Sequence, residues 1–151
     1  MKNENSIIIL MADDDPEDRL LAEDALEEAK VQNELHFVVD GEQLMDYLYR
    51  RNGYEHLADK PLPGLILLDL NMPKKDGREA LKEIKSDPKL KKIPVVVLTT
   101  SSAEIDIVRT YDLGVNSFVT KPVTFEGLVD VMRTLSDYWF KIVLLPPDPS
   151  E

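Results

Sequence analysis

The chain has 151 residues, of which 18 are basic and 29 acidic, so its formal net charge is −11. This length fits one domain with one well-buried core. The negative charge argues against binding to DNA or RNA, because their phosphate backbones carry charge of the same sign. The absence of cysteine excludes disulfides, thiolate metal sites and a cysteine nucleophile. The apolar run 7–11 is too short for a signal peptide or a spanning helix, and we expect a cytoplasmic protein.

The first third of the chain predicts two strand–helix pairs. The run 7–11 indicates a buried strand, and Asp15 and Pro16 are typical of the N-cap and first position of a helix. A second strand is predicted over 35–39, ended by Asp40-Gly41. The apolar residues of the two helices recur at helical spacing: Leu20, Leu21, Ala25 and Leu26 in the first, and Leu44, Met45, Leu48 and Tyr49 in the second.

The rest of the chain continues this alternation. Residues 52–63 contain Gly53, Pro61 and Pro63, a composition typical of a loop. Apolar strands are predicted over 65–68, 95–98 and 115–119. Ser101 or Ser102 can cap the helix that follows the fourth strand, and Thr124 the last one. The apolar residues of the third and last helices are Ala80, Leu81 and Ile84, and Leu128, Val131, Met132 and Leu135.

Five strands alternating with five helices indicate an α/β fold built from βαβ units. We predict a doubly wound, five-stranded parallel sheet with helices on both faces. The inner strands are apolar at consecutive positions, as expected when both faces of a parallel sheet are buried. Ligands of such sheets bind at the carboxyl ends of the strands, so residues that follow the strands are the candidates for a functional site.

Polar residues follow four of the predicted strands. Asp13 and Asp14 follow the first strand, Asp69 the third, Thr99 the fourth and Lys121 the fifth. Because the carboxyl ends of parallel strands share one edge, we expect these residues to converge. Three carboxylates in one crevice repel each other unless a cation neutralises them. Hard oxygen ligands suit Mg²⁺, so the pattern predicts a divalent metal site.

Each of these residues also has an ordinary structural explanation. The acids after the first strand could serve as helix caps, and we assign that role to Asp15. Asp69 could open a turn, Lys121 could be a surface lysine, and Thr99 could be a strand residue with a satisfied hydroxyl. Their occurrence at four separate strand ends favours a common site.

Four segments resemble the motifs of response-regulator receiver domains. They are Ile9–Pro16, Leu67–Gly77, Pro94–Thr100 and Gly114–Pro122. The resemblance extends over roughly 6–135 and is specific, because four motifs occur in order at the expected strand ends. It implies the flavodoxin-like or CheY-like strand order 2-1-3-4-5, with a receiver domain over 6–137.

The same resemblance implies a phosphoryl-accepting metal site. Asp69 would accept the phosphoryl group of a histidine kinase as an acyl phosphate. Asp14, Asp69 and the backbone carbonyl of Asn71 would bind Mg²⁺, and Asp13 would support the site through a metal-bound water. The chain would then be a signalling protein of a two-component system and not an enzyme.

Three further roles are implied at the ends of the fourth and fifth strands. Thr99 would hydrogen-bond to the phosphoryl group, Lys121 would pair with one of its oxygens, and Phe118 would be the aromatic switch residue. Many members of the family carry tyrosine where Phe118 stands. Phenylalanine can be buried in the same way, but it has no hydroxyl with which to bond outside.

Two features resemble a subgroup, the small regulators that partner phytochromes and bacteriophytochromes. The segment 47–63 is longer than in minimal receivers, and 85–95 is also similar to that subgroup.

The tail 138–151 contains two apolar runs, 138–140 and 142–145. They could be the packed end of the last helix. Exposed apolar patches mark interfaces, however, and in these regulators the chain end helps to build a homodimer. We predict such a dimer here, involving the last helix and the tail.

Two other functions remain as alternatives. The first is a Mg²⁺-dependent phosphohydrolase of the aspartyl-phosphate type. Such enzymes carry an acid two residues after the nucleophile, where this chain has Asn71. The second is a receiver-like scaffold that is not phosphorylated. The kinase, its stimulus and the downstream output cannot be read from the sequence.

The remaining polar residues of interest receive no catalytic role. His36 and His56 have no second ligand at metal-binding spacing, so no zinc site is predicted. Asp40 and Glu42 are expected to be surface acids.

Overall fold

The computed structural model describes residues 8–29, 34–69, 77–99, 117–120 and 124–135, with the backbone alone for 99 and 117–120. These ranges contain five strands and four α-helices. In chain order they are β1 (Ile8–Ala12), α1 (Pro16–Glu28), β2 (Glu34–Val38), α2 (Gly41–Tyr49), β3 (Leu65–Asp69), α3 (Gly77–Ser86), β4 (Val95–Thr99), β5 (Ser117–Thr120) and α4 (Phe125–Leu135). Short 3-10 helices lie at Glu55–Leu57 and Leu90–Lys92.

The five strands form one parallel sheet in the order β2-β1-β3-β4-β5. This confirms the predicted fold class and strand order. The helix expected after Ser101 or Ser102 and the tail 138–151 lie outside the described residues. Within the described part of the chain, none of the helices has the length and apolar composition that crossing a membrane requires.

Successive residues of the central strands are buried on opposite faces of the sheet. One face packs against α2 and α3 through Leu10, Ala12, Ile66, Leu68, Val95 and Val97. The other face packs against α1 and α4 through Ile9, Met11, Leu65, Leu67, Val96 and Leu98. Strands that are apolar at every position are therefore a consequence of having helices on both faces.

Helix α1 begins as predicted and buries two of the four apolar residues predicted on its face, Ala25 and Leu26. The Asp15 carboxylate caps the helix by accepting a hydrogen bond from the Glu17 N–H. The buried stripe consists of Ala22, Ala25 and Leu26, whereas Leu20 and Leu21 are 59% and 41% exposed. The expectation for these two leucines was wrong, because the small alanines define the face that lies on the sheet.

Helix α2 also corrects two expectations. Asp40, expected at the surface, is buried and caps the helix: its carboxylate accepts from the Gln43 N–H at 2.7 Å, and the Gln43 side chain accepts from the Val39 N–H. Leu44, Met45 and Leu48 are buried as predicted, whereas Tyr49 is 36% exposed and Tyr47 is buried instead. The Tyr47 hydroxyl lies 2.6 Å from His36 Nδ1, and this contact accounts for its inward position.

The predicted loop after α2 is ordered by an arginine. Arg50 ends α2 in the left-handed conformation, with φ 57° and ψ 48°. Its guanidinium donates to the carbonyls of Tyr47 and Pro61 at 2.8 and 3.0 Å. These bonds compensate for a backbone conformation that non-glycine residues seldom adopt, and they close the loop before β3.

Candidate functional site

The strand register brings three carboxylates together at one edge of the sheet. Ala12 pairs with Leu68, so Asp13 and Asp69 follow at the same level on neighbouring strands. Asp13, Asp14 and Asp69 each offer a carboxylate oxygen, and the three oxygens lie within 4.8 Å of one another. We call these three residues the acidic cluster.

A set of hydrogen bonds fixes the turn between β1 and α1, which carries two of the three acids. The Asp13 N–H donates to the Val38 carbonyl at 3.0 Å, which ties the turn to β2. The Asp13 carboxylate accepts from the Asp15 N–H at 2.9 Å. The Asp13 carbonyl accepts from Arg19 Nη1 at 2.8 Å. Asp13 is thus held through its N–H, its carbonyl and its carboxylate.

The members of the acidic cluster differ in exposure. Asp13 is fully buried and Asp69 is 7% exposed, whereas Asp14 lies at the surface. The buried Asp13 has part of its hydrogen-bonding capacity committed to its own turn, while Asp14 is open to solvent. Asp69, at the end of β3, is nearly as buried as Asp13.

The chemistry of the cluster fits a small divalent cation. Carboxylate charges at such short range repel each other, and buried ones do so in a medium that screens poorly. Hard oxygen donors on rigid strand ends are ligands typical of Mg²⁺ or Mn²⁺. The described residues therefore supply an all-oxygen, negatively charged site whose mutual repulsion a divalent cation would reduce.

The other predicted site residues are only partly within the described chain. Thr99 is the last residue of β4, and its backbone pairs with Thr120 at the end of β5. The backbone of Phe118 pairs with Val97. Asn71 and Lys121 lie outside the described residues. The backbone register thus puts the ends of β3, β4 and β5 on the edge that carries the acidic cluster.

Sequence reasoning missed Arg19 as a residue of this site. A lone arginine in the first half of an acidic helix gives little indication that its side chain folds back over the helix start. The only available signal was its charge, because cations are disfavoured near a helix N-terminus.

Several pKa shifts lie around the C-terminal ends of α2 and α3. A hydrogen bond from Arg51 Nε at 2.7 Å lowers the pKa of Asp46. The N–H groups of Leu90 and Lys89 lower the pKa of Asp87. Burial lowers the pKa of Lys85, whose ammonium donates to the carbonyls of residues 91 and 93. The hydrogen bonds of these groups stabilise the ends of α2 and α3 and the segment that leads into β4.

The two histidines are placed without a zinc-like arrangement among the described residues. His36 Nε2 lies 3.0 Å from the Glu34 carboxylate and its Nδ1 lies 2.6 Å from the Tyr47 hydroxyl. The three-ligand group that the described residues contain is the acidic cluster, and it includes no histidine.

Comparison with known proteins places this arrangement in a family. The family model for the response regulator receiver domain matches residues 9–133. The chain is 42% identical over 139 residues to response regulator Rcp1 of Synechocystis sp., with 92% of each chain covered.

Solved structures give the same result. The phosphorylated cyanobacterial phytochrome response regulator RcpA superposes with a TM-score of 0.79 at 44% identity, covering 90% of this chain and 95% of that one. The Mn²⁺-bound form of Rcp1 also has a TM-score of 0.79, at 42% identity, covering 93% of this chain and 99% of that one.

Proposed function

Because the chain belongs to the response regulator receiver family, we propose that it is a phosphorylation switch in which Asp69 accepts a phosphoryl group from a histidine kinase. The observation that carries the proposal is the position of Asp69: it ends the central strand β3, and its carboxylate lies beside those of Asp13 and Asp14. A nucleophilic carboxylate held next to a cation site is the arrangement that phosphoryl transfer to an aspartate requires.

The proposed cation is Mg²⁺, held by Asp14, Asp69 and the Asn71 carbonyl, with Asp13 acting through a metal-bound water. Two similar proteins support this choice: Rcp1 has been obtained in a Mn²⁺-bound form and RcpA in a phosphorylated form. When bound, the cation supplies positive charge to the phosphoryl oxygens during transfer.

The chain's own residues position the acceptor and the transferred group. An Asp69 oxygen attacks phosphorus, the P–N bond of the kinase phosphohistidine breaks, and the imidazole leaves with a proton from solvent. Lys121 pairs with a phosphoryl oxygen and Thr99 donates a hydrogen bond to the group. The product has a charge near −2 where a carboxylate had −1. We propose that movement of Thr99 toward it, followed by Phe118, changes the surface around β4 and β5.

The cap and the metal ligand can be separated by a pair of substitutions. Asp15→Ala removes the N-cap of α1 and should cost about 1 kcal/mol of unfolding free energy while leaving Mg²⁺ binding intact. Asp14→Ala removes a proposed ligand and should weaken Mg²⁺ binding at least about ten-fold without lowering stability. Urea unfolding and calorimetric titration with Mg²⁺ measure the two effects, and equal losses of metal affinity in both variants would contradict the assignment.

The kinase is proposed to be of the phytochrome type, because similar regulators serve phytochromes. Phosphotransfer profiling tests this directly: radiolabelled histidine kinases of several classes, including a phytochrome kinase, are mixed with the protein and Mg²⁺. We expect transfer within seconds to minutes from the phytochrome kinase and slower transfer from the others. If the phosphoryl group is transferred rapidly only from an unrelated kinase, the receiver function stands and the assignment to a phytochrome kinase is wrong.

We also propose that the protein acts as a signalling switch rather than as an enzyme. A phosphohydrolase on this sheet would need a proton donor two residues after Asp69, and Asn71 cannot serve as one. Turnover of a generic phosphate ester that disappears in Asp69→Asn would favour the hydrolase. Failure to bind beryllofluoride or to label with acetyl phosphate would favour a non-phosphorylated scaffold.

The proposed domain organisation is a receiver over 6–137 and an apolar tail over 138–151 that takes part in a homodimer. The proposed location is the cytoplasm, where histidine kinases present their phosphorylated domains. Truncation after Ser136 tests the dimer: light scattering at high concentration should give a dimer for the full chain and a monomer for the truncated one. A full chain that remains monomeric in this measurement would end the dimer proposal.

A further inference from the structure

We infer that Arg19 is a positioning residue of the metal site: its guanidinium holds the Asp13 carbonyl and thereby fixes the turn that presents Asp13 and Asp14. This inference rests on the proposed function, since it assigns Arg19 a role in Mg²⁺ binding. Arg19 Nη1 lies 2.8 Å from the Asp13 carbonyl oxygen, a charge-assisted hydrogen bond that crosses the start of α1.

The bond acts on the one residue of the acidic cluster that is wholly buried. Asp13 also donates its N–H to Val38 and accepts from the Asp15 N–H. The bond to Val38 anchors the turn to β2, and the bond from Asp15 lies within the turn. Arg19 adds a bond from the body of α1 to the carbonyl that directly precedes Asp14 in the chain.

Arg19 occupies a position in α1 that is electrostatically unfavourable for a positive charge, which supports a specific role for its contact with Asp13. Arg19 is the fourth residue of α1, near the positive end of the helix dipole, where a cation is disfavoured. Two acids, Glu17 and Asp18, occupy the preceding positions, as the dipole favours. The side chain is half-buried, and its guanidinium contacts the turn that carries two of the three carboxylates.

Two opposite effects on Mg²⁺ binding follow if Arg19 is removed. Loss of a nearby positive charge strengthens the attraction between the cluster and Mg²⁺, whereas loss of the hydrogen bond loosens the ligands. Groups that orient metal ligands typically change affinity by about 10- to 100-fold when removed. The exposed Asp14 is the cluster member with the greatest freedom, so we expect the loss of positioning to dominate.

The test is calorimetric titration of the metal-free full chain with Mg²⁺, together with thermal unfolding with and without Mg²⁺. Arg19→Ala should raise the Kd about ten-fold and reduce the gain in Tm that Mg²⁺ produces. Arg19→Lys keeps the charge but not the planar fork and should give a smaller rise in Kd. The matched control is Lys89→Ala, which removes a positive charge from an exposed residue before β4 and should leave the Kd unchanged.

Three results would overturn the inference. In one, Arg19→Ala lowers the Tm of the metal-free protein but leaves the Kd and the Mg²⁺-induced gain unaltered, as a purely structural role would. In another, Arg19→Ala binds Mg²⁺ more tightly, as a charge effect alone would. If Arg19→Ala does not fold, an unchanged Kd in Arg19→Lys overturns it. If the wild-type protein itself binds no Mg²⁺, the proposed function fails as well. The failure of the inference on Arg19 is therefore distinguishable from the failure of the proposed function.

Discussion

Replacing Asp69 by asparagine is expected to abolish phosphorylation and, in the absence of metal, to stabilise the fold. Asparagine has nearly the same shape but lacks the nucleophilic oxygen, so no acyl phosphate forms. The substitution also removes one of three charges whose oxygens lie within 4.8 Å of one another. The relief of this repulsion should be on the order of 1 kcal/mol, which raises the Tm by roughly 2–4 °C.

Labelling with acetyl phosphate and Mg²⁺ measures the first effect, and thermal unfolding in a chelating buffer measures the second. Asp59→Asn is the matched control, because Asp59 is an exposed acid in the loop before β3 and its loss changes the net charge equally. It should label fully and unfold at the wild-type temperature. Residual labelling of Asp69→Asn would place the acceptor elsewhere, and a lower Tm would mean that the cluster stabilises the metal-free fold.

The parallel sheet and the position of the acidic cluster could be predicted, because each follows from a local sequence pattern that is compatible with one structure. A fully apolar run such as 65–68 fits a strand covered on both faces, and its length excludes most helices. Once five such strands are parallel, their carboxyl ends share an edge. The meeting of Asp13 and Asp69 then follows from the register without further information, and the structure shows their carboxylates together.

The side-chain assignments on the helices were less predictable, because they depend on which partner each helix meets. Leu20 has the hydrophobicity of a core residue but lies opposite the alanine stripe of α1. Tyr47 was missed because its burial depends on a hydroxyl partner, His36, that comes from a different element. Asp40 was predicted at the surface because carboxylates are usually exposed. Its burial depends on its role as the N-cap of α2, in which its carboxylate accepts from the Gln43 N–H.

The contribution of Arg19 illustrates the same limit at the site itself. The sequence indicated the acids, because their spacing relative to the strands is fixed. The sequence could not indicate which positively charged side chain bonds to the turn that carries these acids, because a long flexible side chain can reach residues in several directions. The bond from Arg19 to the Asp13 carbonyl forms only in the folded protein. The ligands of such a site are therefore more readily predicted than the residues that orient them.

Truncating Leu67 and Leu68 is expected to destabilise the protein by similar amounts, about 3 kcal/mol each. The two residues are neighbours on β3, and both are buried, Leu67 toward α1 and α4 and Leu68 toward α2 and α3. Each Leu→Ala change removes a side chain from a different core and leaves a cavity there. Urea unfolding of Leu67→Ala and Leu68→Ala measures both effects.

Leu20→Ala is the control for this pair, because Leu20 is 59% exposed and its loss should change the unfolding free energy by less than about 0.5 kcal/mol. A loss confined to one of the two β3 variants would mean that one face of the sheet is open to solvent. Leu67 and Leu68 are neighbours on one strand, so the loss in the double variant measures the coupling between the two cores. A loss equal to the sum of the single effects would show that Asp69 ends a strand supported independently from both sides.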